Sequence, residues 1–125
     1  MTTVDFILPR KNFNIQVQES FSGGITGIFG PSGSGKTSLL HSISGITRPA
    51  SGSITIEGRV VFDAKKKIHL SPEKRNIGYV FQEGRLFPHL NVERNLIYGL
   101  KKHRKSKIPL SDVVNLLNLK HLLKN

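Results

Sequence analysis

GPSGSGKT, Gly30 to Thr37, decides how this 125-residue chain is read. It matches G-x-x-x-x-G-K-[ST] in full, the phosphate-binding loop or P-loop. Polyphosphate oxygens need many donors at close range. Gly30, Gly33 and Gly35 let the backbone turn tightly and approach without Cβ interference. Successive N–H groups then point inward as an anion nest, and the following helix adds its positive end. Lys36 brings an ammonium to the β and γ phosphates, and Thr37 offers a hydroxyl to Mg²⁺. The expected nucleotide contacts are Gly30, Pro31, Ser32, Gly33, Ser34, Gly35, Lys36, Thr37 and Ser38. The expected ligand is a nucleoside triphosphate, ATP with Mg²⁺.

The flanks supply the context this motif needs. Ile25 to Phe29 (ITGIF) is a β-rich run, expected as a buried strand feeding the loop. Thr37 to Ser44 reads as a helix with Leu39, Leu40 and Ile43 at helical spacing. Gly45 is its expected C-cap, and Pro49 blocks continuation.

Further out, Val4 to Leu8 and Asn14 to Glu19 read as strands. Ser22, Gly23 and Gly24 make a turn. Ser51 to Asp63 reads as two short strands around a turn at Glu57–Gly58. Ile77 to Phe81 is again strand-like, and Gly84 to Leu90 is a loop. Asn91 is the expected N-cap of a helix through about Tyr98. Ser111 is expected to cap a last helix, with Val113, Val114, Leu116 and Leu117 on its apolar side. The order of elements predicts an α/β plan with a small β insertion and a helical tail.

Composition narrows the partners. There is no cysteine, hence no disulfide framework and no thiolate metal site. The start, MTTVDFILPRKNFN, lacks the pattern of a secretory signal. No apolar run approaches the roughly 20 residues that span a bilayer. A soluble chain is expected, with any membrane role exercised through a partner. The net charge of +11 favours anionic partners. Lys65 to Lys67 form one basic cluster, and Lys101, Lys102, Arg104, Lys105 and Lys107 another. Neither is interleaved with aromatics, so both read as solvated loops and no nucleic acid is expected. There is no Asn-Lys-x-Asp guanine motif.

Two blocks carry a family resemblance that covers essentially the whole chain. GPSGSGKTSLLHSISGITRPASGSITIEG (Gly30 to Gly58) and IGYVFQEGRLFPHLNVERNLIYG (Ile77 to Gly99) resemble the P-loop and Q-loop regions of the ATP-binding subunits of ABC transporters. Within that family the chain is most similar to the ATPase subunits of molybdate importers. ITGIFG, ISGITRPASGSI and LSPEKRNIGYVFQEGRLFPHLNVERNLIYG carry this. Related importers for sulfate, polyamines or sugars share much of it.

The resemblance implies a P-loop NTPase core of ABC type. Residues 1–83 would be the P-loop core and β subdomain, and 84–125 the beginning of the helical subdomain. It implies that Gln82 senses the γ-phosphate side, touching Mg²⁺ or the attacking water, since an amide both donates and accepts. Phe87, Pro88 and Leu90 would lie near the groove that receives a coupling helix of the membrane subunits. Phe13 is the candidate for stacking on adenine; the flanking Lys11 and Asn12 add no support. A homodimer of ATPase subunits, cytoplasmic and peripheral on the inner membrane face, is the family arrangement.

Hydrolysis in this family also needs an aspartate and a glutamate after a second core strand, a signature loop and a histidine near the γ-phosphate. Asp63 ends an apolar run, but Ala64 follows it, so a hairpin-end role is expected. Ser22-Gly23-Gly24 precedes the P-loop and has no Gln after it. His41, His69, His89, His103 and His121 are scattered, and surface or packing roles are expected for them. Glu83 adjoins Gln82 at a position the family does not use as a base. The chain thus resembles the N-terminal half of an ABC ATPase, ending at Asn125. It is expected to bind ATP and not to hydrolyse it alone, either as a fragment or with a second polypeptide supplying the rest. The alternatives are a catalytically silent nucleotide-binding remnant and a basic nucleic-acid-binding P-loop protein.

Overall fold

A computed structural model describes residues 1–99 and 108–124. The second basic cluster and His103 lie outside the described residues. The chain divides into two compact units, Met1–Tyr79 and Val80–Asn125.

The first unit is built on a five-stranded antiparallel sheet in the order β2-β1-β3-β4-β5. The strands are β1 (Thr2–Pro9), β2 (Asn14–Phe21), β3 (Ser51–Ile56), β4 (Arg59–Asp63) and β5 (Ile68–His69). The expected hairpin at Glu57–Gly58 therefore joins the N-terminal strands in one sheet. Its turn has positive φ at both central residues, 50° at Glu57 and 78° at Gly58. That geometry matches the right-handed twist of the strands it connects.

Alternation decides which face is buried. Val4, Phe6 and Leu8 of β1 point inward, while Thr3, Asp5 and Ile7 take the other face. Ile15, Ile54, Val61 and Phe62 complete the sheet's contribution to the core. Neighbours Val61 and Phe62 are both buried because the register shifts there: Ile54 pairs with Phe62 and Thr55 with Val60, so Val61 is an extra residue in a bulge. Leu39 of helix α1 (Lys36–Ser44) closes the core from the other side.

The C-terminal end of α1 is fastened as well as capped. Gly45 takes φ 87° and its N–H donates to Ser42 O. The Arg75 side chain is buried there. Its Nη1 donates to Ser42 O (2.8 Å) and Ile43 O (2.7 Å), and its Nε to Leu70 O (2.8 Å). The orphan carbonyls of the last helical turn thus become ligands of a buried cation. Burial lowers the Arg75 pKa, though guanidinium stays charged. Tyr79 adds a ring contact to His41 of α1, 5.5 Å between centroids.

Two expected strands are absent. Ile25 to Phe29 and Ile77 to Phe81 join no ladder. Ile25, Phe29 and Val80 are almost fully exposed. The physical reason is pairing: both segments read as inner strands of a parallel sheet, which need a neighbour on each side. No described strand flanks them.

The second unit holds α2 (Val92–Ile97) and α3 (Leu110–Leu116), with a 3₁₀ turn at Lys120–Leu122. Asn91 caps α2 as expected, its side chain accepting from Arg94 N at 2.9 Å. The start of α3 corrects the expectation at Ser111. Pro109 is the N-cap, its carbonyl accepting from Asp112 N, and the Ser111 hydroxyl turns to Asp112. Val114 is buried, but Leu116 and Leu117 are exposed rather than on a covered apolar side. Among the described residues, no helix is long and apolar enough to cross a membrane.

Candidate functional site

Within the first unit, the P-loop forms one wall of an open cleft of about 440 Å³. Gly30, Pro31, Ser34, Gly35 and Lys36 line it together with Phe13, Ile15 and Val17 of the hairpin. The hairpin explains this placement. β1 and β2 pair up to Pro9 and Asn14, and the Arg10–Phe13 loop is closed by Arg10 N–H donating to Phe13 O (2.8 Å). Phe13 sits in that loop with 48% of its surface exposed, so a ring face remains available.

The loop reaches its geometry through close approach. Gly35 is the N-cap of α1 with φ 98°. A Cβ at Gly35 would stand 2.7 Å from Ile15 Cδ1, so β2 packs directly beneath the loop. Only glycine satisfies both conditions cheaply. Ser34 N–H donates to Pro31 O (3.2 Å), tightening the turn. The Lys36 ammonium folds over the loop and donates to Gly30 O and Pro31 O, both at 2.7 Å, with Ser34 Oγ at 3.4 Å. The cation is thus held over the backbone ring where an anion would sit.

Thr37 is exposed in the first turn of α1, and its hydroxyl has no protein partner among the described residues. A free hydroxyl beside the loop fits a Mg²⁺ ligand. Ser38 is engaged: Arg10 Nη2 donates to its Oγ at 2.6 Å. Sequence reasoning missed this contact, as it missed Arg75, because 28 residues separate Arg10 from Ser38 without any periodic signal.

The residues weighed as imitations of catalytic groups have other partners. Asp63 accepts from Lys66 N–H (2.9 Å) and caps the turn that carries the Lys65–Lys67 cluster, a hairpin-end role. His69 packs edge-on to Phe62 and contacts Arg75, and His89 packs on Phe87. Burial, then Arg75 and Arg48, push the His69 pKa down. His121 is exposed. Among the described residues, no group of three or more His, Asp or Glu could hold a metal alone.

Gln82 lies in the second unit, exposed, at a bend. The segment after it is organised by one amide. Asn95 of α2 accepts from Phe87 N–H (2.8 Å) and donates to Phe87 O (3.2 Å) and Leu90 O (2.9 Å). Phe87 stacks on Tyr98 with centroids 4.3 Å apart. Leu86, Phe87 and Tyr98 remain exposed as an apolar edge.

A P-loop that leads into a helix capped by glycine at its N-terminus is the arrangement of the P-loop class. Residues 11–125 match the ABC transporter family, and the chain belongs to that family. It is 45% identical over 124 residues to the molybdenum import ATP-binding protein ModC of Pectobacterium atrosepticum, covering 98% of this chain and 35% of the relative. It is 54% identical over 102 residues to ModC of Aliivibrio fischeri, covering 82% of this chain and 28% of the relative. ModC of Rhodospirillum rubrum is 42% identical over 125 residues, with 98% and 34% covered. The chain therefore spans about a third of the length of these curated relatives.

Proposed function

We propose that this chain is the ATP-binding part of an ABC importer ATPase, of the kind that powers molybdate uptake. The observation that carries it is the cleft, which Lys36, the P-loop backbone and Phe13 line together. ATP fits with its base against Phe13 and its phosphates along Gly30 to Ser38. Thr37 holds Mg²⁺, which would neutralise phosphate charge. Gln82 is carried as the residue that senses the γ-phosphate or the attacking water on the family resemblance alone. Residues 1–83 are the P-loop core and β subdomain, and 84–125 begin the helical subdomain. The molybdate assignment rests on relatives whose names state molybdenum import.

The exposed edge around Phe87 to Leu90 is the face for the membrane subunits. Apolar, aromatic-rich surface held rigid by Asn95 suits a docked helix. The family arrangement places a dimer of such subunits on the cytoplasmic side of the membrane. No nucleic acid is part of this reading.

Titration of the chain with MgATP tests it. Lys36→Ala should weaken binding by at least about tenfold, since it removes a charge-assisted contact to phosphate. Hydrolysis should stay at background in both forms, because Asp63 is committed to its turn. Equal affinity of wild type and Lys36→Ala would remove the P-loop assignment. A Mg²⁺-dependent rate abolished by Lys36→Ala would show that a catalytic base is present.

A further inference from the structure

We infer that Arg10 is a further nucleotide-binding residue, which contacts the phosphate nearest the ribose. The inference rests on the ATP reading above and extends it to a residue outside the P-loop motif. Arg10 is exposed and stands in the β1–β2 loop that also carries Phe13. Its guanidinium crosses to the first turn of α1 and donates to Ser38 Oγ at 2.6 Å. It therefore ties the loop that carries Phe13 to the first turn of α1, beside the cleft.

That location constrains what passes it. A nucleotide with its base on Phe13 and its terminal phosphates on Lys36 must run its ribose and first phosphate between them. Ser38 lies one residue beyond Thr37, and a group that accepts from its hydroxyl comes within reach of the guanidinium already bound there. Arg10 has no carboxylate in ion-pair range among the described residues, so its charge is not neutralised by the protein. One N–H contacts Ser38, and its others are uncommitted among the described residues. A planar guanidinium with several donors suits a phosphate better than a point charge does. Contacts of this kind are among the stronger hydrogen bonds because both partners are ionised.

The structural alternative is a strap: Arg10 ties the Phe13 loop to α1 and never touches the ligand. Magnesium complexes of ATP and of inorganic tripolyphosphate separate the two, since tripolyphosphate has no base to place on Phe13. Binding of both to wild type, Arg10→Met, Arg10→Lys and Lys36→Ala is measured by calorimetry. Arg10→Met should weaken both ligands by about fivefold to tenfold, and Arg10→Lys should recover part of the loss by keeping the charge. ATP affinity within about twofold of wild type in Arg10→Met, with Lys36→Ala still defective, would overturn the inference while leaving the P-loop reading intact. Weakened ATP with unchanged tripolyphosphate would overturn it in favour of the strap. Wild type and Lys36→Ala binding alike would overturn the underlying reading itself.

Discussion

Ile54 and Ile25 carry the same side chain in the same unit, and they meet opposite environments. Ile54 has none of its surface exposed and pairs with Val4 and Phe62 on its two sides. Ile25 is fully exposed and pairs with nothing. Propensity does not separate them, since each lies in a β-rich run. What separates them is where their partners are found. The strands around Ile54 find antiparallel partners among the described residues, β4 through the turn at Glu57–Gly58 and β1 from the start of the chain. The run at Ile25, like that at Ile77 to Phe81, has the pattern of a parallel strand, whose neighbours come from distant sequence. Among the described residues the antiparallel sheet has its ladders, and neither of these runs has one.

The sharpest way to break this comparison is a matched pair of truncations. Ile54→Ala should cost about 2–5 kcal/mol, because it opens a cavity in a closed core. Ile25→Ala should cost no more than about 0.5 kcal/mol, as exposed positions do. Urea melts of both variants measure the difference. An Ile25→Ala loss as large as that of Ile54→Ala would mean that the segment is packed in solution and the contrast is false.

Arg75 probes the seam between the two kinds of region, since it ties α1 to the stretch that runs on into Ile77. Arg75→Met should destabilise by about 1–3 kcal/mol, because the carbonyls of Ser42, Ile43 and Leu70 lose their buried donor. The same melts read it. An unchanged midpoint would mean that water replaces the guanidinium there, and that the seam is open.

The smallest effect is a pH slope from His69. Its folded pKa lies below the ordinary 6.5, so the unfolded chain binds its proton first as pH falls. The contribution to stability is present above about pH 6.5 and is lost progressively below it, until the lowered folded pKa is passed. Arg75→Met removes one of the charges that depress it, and the slope just below about pH 6.5 should flatten. An identical slope in the variant would leave burial and Arg48 as the causes.

Legibility followed the same division. The hairpin at Glu57–Gly58, the C-cap at Gly45 and the N-cap at Asn91 were all readable, because each is a local geometry written in adjacent residues. The P-loop was readable for the same reason: a compact anion nest needs fixed residue types at fixed spacing. Ser111 misled because Pro109, two residues earlier, already offers the carbonyl that starts α3. Leu116 and Leu117 misled because periodicity names an apolar side without naming what covers it. Ile25 to Phe29 failed for the related reason that β propensity does not specify a neighbour. The Arg10–Ser38 and Arg75–Ser42 contacts left no trace, since each joins a loop or turn arginine to a helix serine across 28 and 33 residues.

The lysine folded over its own loop has a consequence for rates. Lys36 already donates to Gly30 O and Pro31 O, so its long side chain has surrendered most of its rotamer freedom before a phosphate arrives. On the reading proposed above, an incoming phosphate would displace the ammonium from these two carbonyls by exchange of partners, with no wide search of side-chain conformations before it. Association then becomes a matter of encounter between a cationic chain and a polyanion, quick at low ionic strength and slowed by added salt. Dissociation, in contrast, would be helped along by the same carbonyls, which would recapture the ammonium as the phosphate leaves.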